Sequence, residues 1–93
     1  MNTANLQLEG MVMALASLCE TLADRGVLEH KEIGAALERA RSAVEQDDTH
    51  QLSEANQAAV LFPIHLLSLA NQAHQRGQRF TFSDYAALVG KLT

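Results

Sequence analysis

Tryptophan is absent, and the 93-residue chain has only four aromatic residues: Phe62, Phe80, Phe82 and Tyr85. Its core must therefore come from Leu, Ala, Val, Ile and Met, most of which are good helix formers. Cysteine occurs once, at Cys19, so no internal disulfide can form. A reducing compartment, the cytoplasm, is expected. The five glycines are dispersed and supply no loop that would cradle a phosphate. Bases are outnumbered, seven Lys and Arg against eleven Asp and Glu, and a net charge of −4 speaks against general affinity for nucleic acid. Long apolar runs are missing as well. None reaches the roughly 18 residues that crossing a bilayer requires, so no membrane partner is expected. The run Met11 to Cys19 has the apolar character of a signal-peptide centre. However, Glu9 rather than a Lys or Arg precedes it, and Leu18 stands where a small residue is needed before a lipid-modified cysteine.

What the chain does have is helical periodicity. Leu8, Met11, Leu15, Leu18 and Leu22 recur at spacings of three and four, broadened by Val12 and Cys19, and Gly26 follows where a left-handed C′ residue is wanted. This pattern predicts a first helix from about Leu6 to Arg25, capped by Thr3 or Asn5, with Glu9 suiting its dipole. A short turn through Val27 and Leu28, expected to plug the open end, makes an αα-hairpin with a second helix, His30 to Gln46. The buried side of that helix is read as Ile33, Ala36, Leu37, Ala40 and Val44. Its cap is weak, since Glu29 or His30 stands where Ser, Thr or Asp is preferred.

A polar linker, Glu45 to His50, leads to a third helix. Asp48 or Thr49 is expected to start it, with Gln51 completing a capping box on Asp48, and Gly77 to stop it after Arg76. Its centre, Ala58 to Ala70, is interrupted only by His65 and Ser68 among apolar residues and should lie centrally. Pro63 cannot donate to the carbonyl of Ala59, which predicts a kink, or else a break into two helices. Gln78 to Phe82 reads as extended, with Phe80 and Phe82 on one side. A fourth helix follows, capped by Thr81 or Ser83, with Thr81 and Asp84 spaced for a capping box and Tyr85, Leu88, Val89 and Leu92 on its apolar face.

Chemistry-bearing constellations are sparse. His30, His50, His65 and His74 include no pair at the three- or four-residue spacing that puts two imidazoles on one helical face. The acidic linker lacks the alternating oxygen ligands and central glycine of a calcium loop. Cys19 falls among leucines and should be a neutral thiol rather than a nucleophile. His65, Ser68, Gln72 and Gln75 form a narrow polar stripe on the third helix. His74 to Arg79 is a small basic segment suited to a helix C-terminus. Phe82 to Gly90 resembles the first helix and turn of a helix-turn-helix unit, but three further residues leave no recognition helix to follow. Charge is uneven: residues 1–54 hold ten acids and four bases, and residues 55–93 hold one acid and three bases. Such a split could align two copies.

These features predict one all-α domain, residues 1–93, with four helices, or five if Pro63 breaks the third. The N-terminal antiparallel hairpin should pack on the long apolar third helix. No catalytic group, cofactor or metal is expected. The first helix and the middle of the third offer more apolar face than the second and fourth can cover, and large exposed apolar patches are rare on monomers. The expected function is therefore a non-enzymatic interaction or oligomerisation module. Its partner is a second copy in a two-fold dimer or another protein, met at Met11, Leu15 and Leu18 or at Leu61, Phe62 and Leu66. The alternative is a small-molecule-binding domain with a pocket at the Pro63 kink, lined by Phe62, His65 and Tyr85.

Overall fold

The computed structural model describes residues 3–48 and 52–92, with Leu92 described for its backbone alone. Four helices make up 83% of this and no strand is present among the described residues. They are α1 (Thr3–Asp24), α2 (His30–Gln46), α3 (Glu54–Gln75) and α4 (Phe82–Leu92).

α1 starts earlier than its polar residues suggest. Thr3 and Asn5 are already helical, so neither is its cap. Its end conforms to expectation: Gly26 takes φ +71° and closes the helix, with the Val27 and Leu28 N–H groups donating to the Leu22 carbonyl. Val27 stays exposed instead of plugging the hairpin, while Leu28 is half-buried. α2 is capped by Glu29, whose weak capping chemistry is repaired from inside the helix. The Glu32 carboxylate accepts from the Glu29 N–H at 2.8 Å.

α3 starts at Glu54, later than Asp48 or Thr49. The cap is Ser53, whose Oγ accepts from the Asn56 N–H at 3.2 Å. Asp48 is not helical, and Thr49, His50 and Gln51 lie outside the described residues. Extended geometry at Ser53 and a side-chain oxygen within reach of the first turn are what a helix N-terminus needs. α3 runs unbroken through Pro63, so the fold has four helices. The Thr81–Asp84 capping box forms in full: the Thr81 Oγ1 accepts from the Asp84 N–H, and the Asp84 carboxylate accepts from the Thr81 N–H.

α3 is the hub. α1, α2 and α4 each pack on it, while direct contact between α1 and α2 is slight. His30 at the start of α2 meets His74 at the end of α3, so these two helices are antiparallel. Asp24 at the end of α1 also meets His74, so α1 and α3 run in the same direction and α1 opposes α2. The core cluster is Val12, Ala16, Leu66, Ala70, Ala73, Tyr85 and Val89, with Leu66 fully sealed. Ala16 of α1 and Ala70 and Ala73 of α3 are the small residues in this cluster.

That seam divides the apolar face of α1 and corrects the faces read for α2 and α4. α1 seats Val12 and Ala16 against α3 and leaves Met11, Leu15 and Leu18 outside. On α2, Ile33 is buried and Leu37 and Val44 half-buried, but Ala36 and Ala40 are exposed. On α4, Tyr85 and Val89 are buried and Leu88 is exposed. Phe80 and Phe82 diverge, because Phe82 already belongs to α4. Phe80 packs edge-on to Tyr85, and Phe82 edge-on to Phe62. By length and composition α1 is also the one described helix that could cross a membrane.

Candidate functional site

The exposed apolar residues of α1 share one side. Met11 is 65% exposed, Leu15 46% and Leu18 60%. Their spacing puts them in one row, continued by the half-buried Leu22. The other flank of α1, with Met13, Ser17 and Glu20, borders Arg79, Phe80 and Tyr85. The row therefore lies on the flank away from α4.

α2 shows the same division. Gly34, Glu38 and Arg41 border α3 beside His65 and Ser68. Ala36 and Ala40 fall on the opposite flank. Because α1 and α2 sit on neighbouring faces of α3 and barely touch, their apolar flanks border a shallow V. The strip of α3 between them carries Val60, which is exposed, and Ile64 and Leu67, which are half-buried. No carboxylate or base belongs to these three rows.

The two proposed contact sets thus separate. Met11, Leu15 and Leu18 are available to a partner. Leu61 and Leu66 are sealed in the monomer, at 8% and 0% exposure, so neither can meet a second molecule while the core stays closed. Their burial follows from the position of α3, which has neighbours on three sides.

Phe62 belongs to a different feature. A cleft of about 860 Å³ opens between the first turns of α1, the first half of α3 and α4. Leu8, Leu61, Phe62, Phe82, Ala86 and Val89 supply its apolar lining, and Asn5, Glu9, His65 and Ser83 its polar groups. Of the three pocket residues read from sequence, Phe62 and His65 are here and Tyr85 is not. Tyr85 lies on the other side of α4, where its Oη accepts from the Phe80 N–H at 3.1 Å. A continuous helix through Pro63 holds the lining together.

The polar stripe His65, Ser68, Gln72 and Gln75 borders a smaller cleft on the α2–α3 seam, facing Glu38 and Arg41. Arg41 pairs with both Glu38 and Glu45. Its hydrogen bond to Glu38 holds that carboxyl below the usual range, with the Arg41 and His65 charges adding to the effect against a desolvation that opposes it.

Sequence spacing gave no sign of one cluster. His30 Nε2 and His74 Nδ1 share a hydrogen bond at 2.8 Å, and His74 Nε2 lies 3.1 Å from the Asp24 carboxylate. Asn71 adds a bond from its side-chain amide to the His30 carbonyl at 2.9 Å. This chain ties the ends of α1, α2 and α3 together. Only the reversal of the hairpin and the antiparallel return of α3 bring these residues together. Neither this cluster nor any other group of three or more His, Cys, Asp or Glu side chains among the described residues is arranged to hold a metal ion. Within one copy, Arg79 of the basic half pairs with Glu20 of the acidic half at 2.9 Å. Cys19 is half-buried, and desolvation, followed by the Glu20 charge, pushes its thiol pKa up. A raised pKa keeps the group in its thiol form at neutral pH.

No protein-family model matches this chain, and no curated protein or solved structure matches it either. Geometry alone carries the functional reading.

Proposed function

We propose that this chain is a non-enzymatic interaction module that self-associates as a two-fold dimer through the open side of α1. The observation that supports it is the row Met11, Leu15 and Leu18, which is exposed along α1 while Val12 and Ala16 of the same helix enter the core. Burying apolar surface is worth roughly 25 cal/mol per Å², and a stable interface removes more than about 1,000 Å² in total. A single α1–α1′ contact is short of that. The flanking alanines of α2 and Val60 of α3 extend the same apolar surface, and the shallow V gives a partner helix a seat. A two-fold arrangement lets each α1 lie against the other copy's V and closes the assembly. We read α1 as a protein-binding helix and not a membrane span, because Glu9 and Glu20 within it would be costly in a bilayer. The cytoplasmic assignment rests on the single cysteine.

Dilution followed by methyl NMR tests the surface directly. On dilution from high to low micromolar concentration, the Leu15 and Leu18 methyl signals shift together and those of Leu66 stay fixed. Signals independent of concentration, together with a tumbling time of a single chain, contradict the dimer.

A second reading, a small-molecule-binding domain, is favoured by the cleft between α1, α3 and α4. Its volume of about 860 Å³ falls in the range of ligand pockets, and its lining of apolar walls with a few convergent polar groups is their usual composition.

A further inference from the structure

Resting on that second reading, we infer that the cleft between α1, α3 and α4 takes an apolar amine, a molecule with an aryl or alkyl body and a protonated amino head. The walls suit such a body. Phe62 and Phe82 meet edge to face with centroids 6.2 Å apart, and Leu8, Ala86 and Val89 continue the apolar surface on the adjoining helices. The head is specified by charge. Glu9 is the one carboxylate of the lining, and the lining has neither Lys nor Arg among the described residues. Glu9 is half-buried and has no ion pair or side-chain hydrogen bond among the described residues, whereas Glu20 on the same helix pairs with Arg79.

Ala59 lines the cleft, and Pro63, four residues on, has no N–H to offer its carbonyl. The positive end of α4 beside the cleft is already answered by Asp84 within its capping box. A carboxylate ligand would thus meet Glu9 with only the His65 imidazole to pair with, and that side chain also borders Glu38 on the α2–α3 seam. A protonated amine meets the Glu9 carboxylate in a wall that also holds two phenyl rings, a group that attracts cations.

Three probes of one shape test this on the full chain at neutral pH: 4-phenylbutylamine, 4-phenylbutyrate and 4-phenylbutan-1-ol. Binding is read by isothermal titration and by the ring signals of Phe62 and Phe82. The amine is expected to bind at least about fivefold more tightly than either other probe, the scale of one half-exposed ion pair. Glu9→Gln, at a half-buried position on α1, should remove that preference and leave the fold intact. If the acid or the alcohol binds as tightly as the amine, or Glu9→Gln changes nothing, the amine assignment is overturned and the cleft remains a ligand site. If no probe perturbs Phe62 or Phe82, the assignment and the pocket reading fall together.

Discussion

At the scale of single residues, the seams between helices are set by small side chains. Gly34 of α2 faces Asn71 of α3. A Cβ built there would lie 3.6 Å from the Asn71 side-chain nitrogen, an ordinary contact. Gly34→Ala should therefore fit without displacement and stabilise the protein by about 0.5–1 kcal/mol through helix propensity, measured by urea unfolding. Destabilisation would show that the seam is tighter than this geometry. Cys19 gives a pH dependence. Burial raises its folded pKa above the unfolded value, so the folded state holds its proton more tightly. The stability this contributes is fully present below the unfolded thiol's range and is lost as pH rises through the folded one. Cys19→Ser should flatten that alkaline decline in a series of thermal melts. A wild-type curve unchanged by the substitution contradicts the burial of the thiol. The His30–His74–Asp24 chain belongs to this scale too, and no local pattern could have revealed it, since its bonds join residues 44 and 50 positions apart.

At the scale of elements, the helices were legible and their faces were only partly so. Periodicity and Gly26 located α1, and Thr81 with Asp84 located α4, because caps and turns are local chemistry. Ser53 was overlooked as the α3 cap because the acidic linker offered nearer candidates. The face of α1 was legible as an arc but not in its division between core and surface, for a physical reason. Its apolar arc is wider than one helix contact, and periodicity cannot say which part a neighbour takes. α3 took the small-residue edge, Val12 and Ala16, and the bulkier Met11, Leu15 and Leu18 were left out. In the cleft, Phe62 and His65 were legible from their nearness to Pro63. Tyr85 was not, because α4 turns it to the opposite side. Pro63 leaves α3 continuous but one donor short. Pro63→Ala restores the bond to the Ala59 carbonyl and should stabilise the protein by about 1–3 kcal/mol, read from chemical denaturation. A loss of stability would mean that the core requires the shape proline imposes.

At the scale of the whole molecule, a hub helix with three neighbours leaves one side of the bundle open. Leu66 and its cluster hold the monomer together, and the apolar row on α1 lies outside that cluster. Substitutions in the row should therefore change assembly and spare the fold. Leu15→Glu with Leu18→Glu places two carboxylates in the proposed contact without touching Val12 or Ala16. Circular dichroism of this double variant should match the wild type. Sedimentation equilibrium at high micromolar concentration is the most direct measurement. The wild type should have the mass of two 10.1 kDa chains and the double variant that of one. A wild-type protein that sediments as a single chain under those conditions contradicts self-association through α1.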